Sequence, residues 1–160
     1  MLLFKVQGAQ YQSCLAGLPA ILTSHGGMTF LSSEPGNSLL EACESGDYVA
    51  ARSLIAAGVD VNYRDGFGNT ALFYSALRSH IDVMRLLLAN EADVGATNLE
   101  GSTPIIAAVL SGKVEPVQTL LHSGASPTVC NNNGYTPLQA AEDRGFTDIA
   151  TVLRAAGATE

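Results

Sequence analysis

Tryptophan is absent from this chain, and aromatic residues make up only 6% of its 160 positions. A core must therefore be filled by small aliphatic side chains. Charge is sparse at 14%, while apolar residues reach 47%, a balance that excludes wholesale disorder. Bases are the scarcer sign: eight Lys and Arg stand against fifteen Asp and Glu, for a net charge of −7. Phosphate would repel such a chain, which argues against nucleic acid as a partner. The three cysteines, Cys14, Cys43 and Cys130, form no CxxC pair, and their odd number leaves one unpaired. They predict free thiols in a reducing, cytoplasmic setting, with the nucleus also compatible, rather than a disulfide framework. A structural zinc needs four close ligands, and His25, His80 and His122 are not grouped with the cysteines. The longest aliphatic run, Ile105 to Leu110, is far short of the ~20 residues of a membrane span.

Catalytic signatures are missing as well. Ser24-His25-Gly26-Gly27 matches a fragment of an esterase oxyanion loop, but no G-x-S-x-G elbow accompanies it, so it reads as a turn. Gly112-Lys113 is followed by Val114 rather than Ser or Thr, so no phosphate loop is formed. Glu142 and Asp143 are neighbours in sequence, and neighbouring side chains on a helix point apart. No residue is assigned a catalytic, cofactor-binding or metal-binding role.

Residues 1–33 hold no acid and a single base, Lys5. The apolar stretch Leu15–Leu22 is broken by Gly17 and Pro19, and no Arg precedes Arg52. Neither a secretory signal nor a transit peptide has that pattern, so residues 1–36 read as a tail. A degenerate half-repeat ending at Ile21-Leu22-Thr23-Ser24-His25-Gly26-Gly27 is the alternative reading.

What is present is a repeat. Gly68, Gly101 and Gly134 are spaced by 33, as are Thr70, Thr103 and Thr136, followed by Leu72, Ile105 and Leu138. Gly46, Ser79, Gly112 and Gly145 keep the same step, and so do Gly58, Glu91, Gly124 and Gly157. Self-similarity at this period signals a stacked array. In the third unit, Thr103 suits a helix N-cap and Pro104 the first helical position. Ile105, Ala108 and Val109 then give one apolar helical face. Gly112 ends this helix, and a second one from about Val114 carries Val117, Leu120 and Leu121 to Gly124. Neither is long enough to be stable alone, so the units must stack. Cys43 falls on the apolar face as a small core residue, and Cys130 falls in a connection, where it should be the most exposed thiol.

The period, Thr103-Pro104-Ile105, Thr136-Pro137-Leu138, and Leu87-Leu88 with Ala92-Asp93-Val94 resemble ankyrin repeats. The resemblance covers residues 37–160, with units at about 37–69, 70–102, 103–135 and 136–160. It implies an all-α solenoid of stacked helix pairs joined by hairpin-like connections. Leu39-Leu40-Glu41-Ala42-Cys43 resembles a capping first repeat, and Arg154, in the column of Ile55, Leu88 and Leu121, a capping last one. The His that usually follows Thr-Pro-Leu is replaced by Phe73, Ile106 and Gln139, so order between repeats is expected to rest on apolar contact. Ala71 replaces Pro, and Glu91 stands where a helix-ending Gly is expected. Glu91 thus predicts a left-handed side chain, with a cap shifted one residue back onto Asn90 as the alternative, and makes the second unit the loosest joint.

The resemblance further implies a protein-binding module, an adaptor, scaffold or inhibitor, acting as a monomer without a cofactor. Partners of this family dock on the concave side. Carried onto this sequence, that side comprises Arg64, Phe67, Asn69, Leu77 and Arg78, then Leu99, Glu100 and Leu110, then Asn132, Asn133, Tyr135, Asp143 and Arg144. Phe67, Leu77, Leu99, Leu110 and Tyr135 are expected to face water there, with Phe67 and Tyr135 as anchors. Leu54, Asp60, Val61 and Asn62 resemble the pattern that an asparaginyl hydroxylase recognises, although a structural role for the Asn62 amide in its turn is the preferred reading. The alternative readings are a regulatory subunit of a larger assembly, a structural repeat without a partner, and an enzyme built on residues 1–36.

Overall fold

The computed structural model describes residues 34–158. Within them lie eight helices and no strand. They are α1 (Pro35–Ser45), α2 (Tyr48–Ala56), α3 (Ala71–Arg78), α4 (Ile81–Ala89), α5 (Pro104–Leu110), α6 (Val114–His122), α7 (Pro137–Asp143) and α8 (Thr147–Ala155). Each odd-numbered helix packs on its successor. The odd helices also stack on one another as an inner row, and the even ones as an outer row. None reaches the ~12–15 residues at which a lone helix holds in water, so burial between rows must supply the stability.

That burial follows the repeat columns. Leu39, Leu72, Ile105 and Leu138 are buried along the inner row, and Leu87, Leu120 and Leu153 along the outer one. Burying such a side chain is worth about 1.5–3 kcal/mol. Ala51, Ala76, Ala107, Ala108, Ala140 and Ala141 are also fully enclosed, and their small size lets helices without large aromatics approach closely. Cys43 is fully buried in this core, and burial pushes its thiol up to about 12, which leaves it inert. Cys130 is exposed.

Helix starts and stops differ in detail from the sequence reading. The Thr70 hydroxyl accepts the Phe73 N–H at 3.3 Å. Thr136 accepts the Gln139 N–H at 3.2 Å, and Gln139 Oε1 accepts the Thr136 N–H at 3.0 Å, a reciprocal capping box. Thr103 holds the same extended backbone, φ −102° and ψ 164°, but its hydroxyl makes no cap and is buried without a partner. The column therefore preserves a backbone conformation at all three starts and a side-chain bond at only two. Glu91 and Ser79 are the described non-glycine residues at positive φ, 64° and 61°. Asn90 stays at −109°, so the left-handed turn falls on Glu91 itself.

Pro35 and Gly36 belong to α1 rather than to the tail, and Gly36 packs directly against the Tyr63 ring, which leaves no room for a Cβ. The half-repeat reading of residues 21–27 lies outside the described residues.

Candidate functional site

Each connection between helix pairs is shaped by one short polar side chain. Asp65 Oδ1 accepts the backbone N–H groups of Phe67 at 2.8 Å and Asn69 at 2.9 Å. Asn98 Oδ1 does the same for Glu100 and Ser102, at 3.0 and 2.9 Å. Asn131 Oδ1 takes Asn133 and Tyr135, both at 3.0 Å. A backbone bond closes each loop, as from Asn98 N to Ser102 O at 3.0 Å. Residues 65–69, 98–102 and 131–135 thus form three equivalent tips. Asp65, Asn98 and Asn131 also keep the 33-residue step, a column present in the sequence that the reading of glycines and threonines passed over.

The tips are bonded to one another. The Leu99 N–H donates to Phe67 O at 3.0 Å, and the Asn132 N–H to Glu100 O at 2.9 Å. The first joint has further ties. Asn98 Nδ2 donates to Asn69 Oδ1 at 3.0 Å, and the Arg64 guanidinium to Thr97 O. Asn62 bridges the same joint: its Oδ1 accepts the Asp93 N–H at 2.8 Å and its Nδ2 donates to Glu91 O at 3.3 Å. At the second joint one side chain helps, Asn132 Nδ2 donating to Leu99 O at 3.0 Å. Order between repeats therefore rests on polar ladders as well as apolar contact, which corrects the expectation drawn from the missing His. His80 adds to this, with Nε2 lying 3.0 Å from Glu44 O.

Tips and inner helices present a common face. Tyr74 of α3 donates its hydroxyl to Asp65 Oδ2 at 2.6 Å, and Tyr135 donates to Asp143 Oδ2 of α7 at 2.8 Å. Burial pushes the Asp65 carboxyl up, but the Tyr74 hydroxyl and the Asn69 and Phe67 N–H donors outweigh it and hold the group below its ordinary range. Burial and the Asp143 carboxylate push the Tyr135 hydroxyl up. Asp143 shares its column with Glu44, Leu77 and Leu110, so these residues stand opposite the tips at the 33-residue step.

The apolar residues on this face divide in two. Phe67 and Leu99 are 73% and 72% exposed. Leu77, Leu110 and Tyr135 are half-buried rather than facing water, because all three pack against the core. Charged groups flank them. Arg78 pairs with Glu44 at 2.7 Å on the α1 side, and Asp143 and Arg144 stand exposed on the α7 side. Glu100, Asn132 and Asn133 are exposed on the tips, and Asn69 is half-buried. Tyr48 and Val49, the other exposed large apolar residues among those described, open α2 in the outer row. Among the described residues no group of His, Cys, Asp and Glu is placed to hold a metal ion, and no helix is long and apolar enough to cross a membrane.

Comparison with known proteins agrees with this architecture. The family model described as "Ankyrin repeats (3 copies)" matches residues 39–130 and again 97–159. The chain is also 39% identical over 56 residues to Ankyrin repeat domain-containing protein 46 of Rattus norvegicus and of Mus musculus. That stretch is 35% of this chain and 25% of each relative, so the chain spans about a quarter of the length of the curated relatives it matches. Tips, helix pairs and family match together establish that this chain belongs to the ankyrin-repeat family.

Proposed function

We propose that this chain is a protein-binding module, an adaptor, scaffold or inhibitor, whose partner seats on the face made by the tips and inner helices. One observation carries the reading. Phe67 and Leu99, both strongly exposed, stand on neighbouring tips joined by a backbone hydrogen bond, with charged residues on either side. An apolar centre inside a polar rim is the anatomy of a binding interface. Isolated surface hydrophobes are ordinary, but these two occur together on a rigid ladder. Phe67 and Leu99 are the anchors. Tyr135, whose hydroxyl is committed to Asp143, belongs to the rim.

The module works as a monomer without a cofactor, and the free thiols Cys43 and Cys130 suit a reducing, cytoplasmic compartment. Asn62 is read as a structural residue of the joint between repeats, where both its amide atoms are engaged. Intact-mass analysis of native protein should then show no added oxygen on the peptide that contains it. Affinity purification from the native source tests the main reading. Truncating a true anchor costs about 2 kcal/mol or more, so Phe67→Ala combined with Leu99→Ala should release the captured partner. A partner retained by that double variant would move the site elsewhere.

A further inference from the structure

We infer that the occupant of the tip face is a basic segment, in which Lys or Arg side chains flank the apolar residues that seat on Phe67 and Leu99; this rests on the tip face being the binding surface. The charges on that face divide into those already satisfied and those that are not. Over the first three repeats its two cations are Arg78, paired with Glu44, and Arg64, which donates to the neutral carbonyl of Thr97 and keeps its charge. The acids are not matched in the same way. Glu100 is exposed beside Leu99, and no described cation pairs with it. Glu41 is exposed on α1, in the column of Tyr74, and is likewise without a described cation. Asp65 lies next to Phe67 on the first tip. Burial works against its charge, but a hydroxyl and backbone N–H groups hold it below the ordinary carboxylate range, so it stays charged without a cation.

Asp65 and Glu100 thus stand beside the apolar residues and Glu41 on α1 of the inner row, three carboxylates without a described cationic partner against the single unpaired charge of Arg64, in a chain whose acids outnumber its bases fifteen to eight. An acidic segment would meet like charge around Phe67 and Leu99. A basic one would be steered toward them and held in register. Arg144 stands at the far, α7 end of the face, so the preference for cations applies to the α1, α3 and α5 stretch.

The test is selection of phage-displayed random peptides on the full-length chain at low salt. A synthetic copy of the enriched sequence is then titrated against variants. The expected result is enrichment of peptides that combine Lys or Arg with aliphatic or aromatic residues. Glu100→Lys should weaken the synthetic peptide about tenfold and Glu100→Gln about threefold, with a flatter salt dependence in both. Asp148→Lys, the same charge change on the outer helix α8, should alter binding less than about twofold. Enriched peptides that are acidic or uncharged, yet lost with Phe67→Ala plus Leu99→Ala, would overturn the basic occupant and leave the face standing. Peptides indifferent to that double variant would overturn the face and the inference with it. Failure to enrich any peptide would overturn the linear basic segment.

Discussion

The joint between the first and second tips can be set against the joint between the second and third. Both have one backbone bond, from Leu99 to Phe67 O and from Asn132 to Glu100 O. Side chains separate them. Asn62, Arg64 and Asn98 all cross the first joint, and Asn132 crosses the second. The first joint also contains Glu91, whose left-handed backbone should loosen it. The strained residue and the extra bonds meet at one atom, since the Glu91 carbonyl is an acceptor for Asn62. A defect read from one column of a repeat can thus be offset by residues in another.

The largest expected break comes from Asn98. Asn98→Ala removes the one oxygen that accepts two N–H groups of the second tip, and the link to Asn69. It should lower stability by about 2–3 kcal/mol in denaturant melts, from three modest hydrogen bonds. Asn131→Ala removes the equivalent intra-tip pair and no described cross-tip bond, and should cost about 1–2 kcal/mol. Equal losses would mean that the Asn98–Asn69 link contributes nothing. Next come the bridging amides themselves. Asn62→Ala should cost about 1–2 kcal/mol, and Asn132→Ala, which keeps its backbone bond, under about 1 kcal/mol. The reverse order would show the second joint to be the stronger.

Glu91→Gly should sharpen the contrast by relieving the first joint without removing its bonds. A side chain at left-handed φ costs about 1–2 kcal/mol, and the freedom Gly adds to the unfolded chain returns about 0.4–1 kcal/mol. The net gain should be about 0–1.6 kcal/mol, centred on about 0.8 kcal/mol and seen as a higher denaturant midpoint at unchanged slope. The smallest effect is one of pH. Asp65 has a folded-state pKa below its ordinary 3.8. Its contribution is therefore present above that value and fades as pH falls through it toward the folded pKa. Acid should lower the melting midpoint of the native chain more than that of Asp65→Asn, which copies the neutral Asx of the other two tips. An identical acid response in both proteins would remove Asp65 from the first tip's support.

Helix pairing, the columns of the core and the left-handed turn at Glu91 were all legible in the sequence, because each is written at a fixed step of 33. The tips were half legible. Their glycines stood out, while Asp65, Asn98 and Asn131 did not, since Asp and Asn in a polar stretch look like any solvated loop until their N–H donors are located. The bridging roles of Asn62 and Asn98 could not be read at all, because their acceptors and donors belong to the neighbouring unit. Burial of Leu77, Leu110 and Tyr135 was missed for a related reason. A column that faces the tips is partly covered by them, and a single repeat taken alone does not reveal that cover. Thr103 shows the opposite failure: a favourable residue type for a cap, in the right backbone, that forms no bond.

The clasp formed by Asp65, Asn98 and Asn131 has a consequence for how such a chain can change. Each clasp grips the loop two and four residues downstream, with Gly66 and Phe67, Leu99 and Glu100, and Asn132 and Asn133 carried inside its span. Of those six, only Asn132 lends its side chain to a described bond that steadies a loop. The other positions behave as interchangeable fittings on a fixed bracket, so mutation can rewrite what the surface grips while the bracket, and the stack of helices behind it, stays as it was.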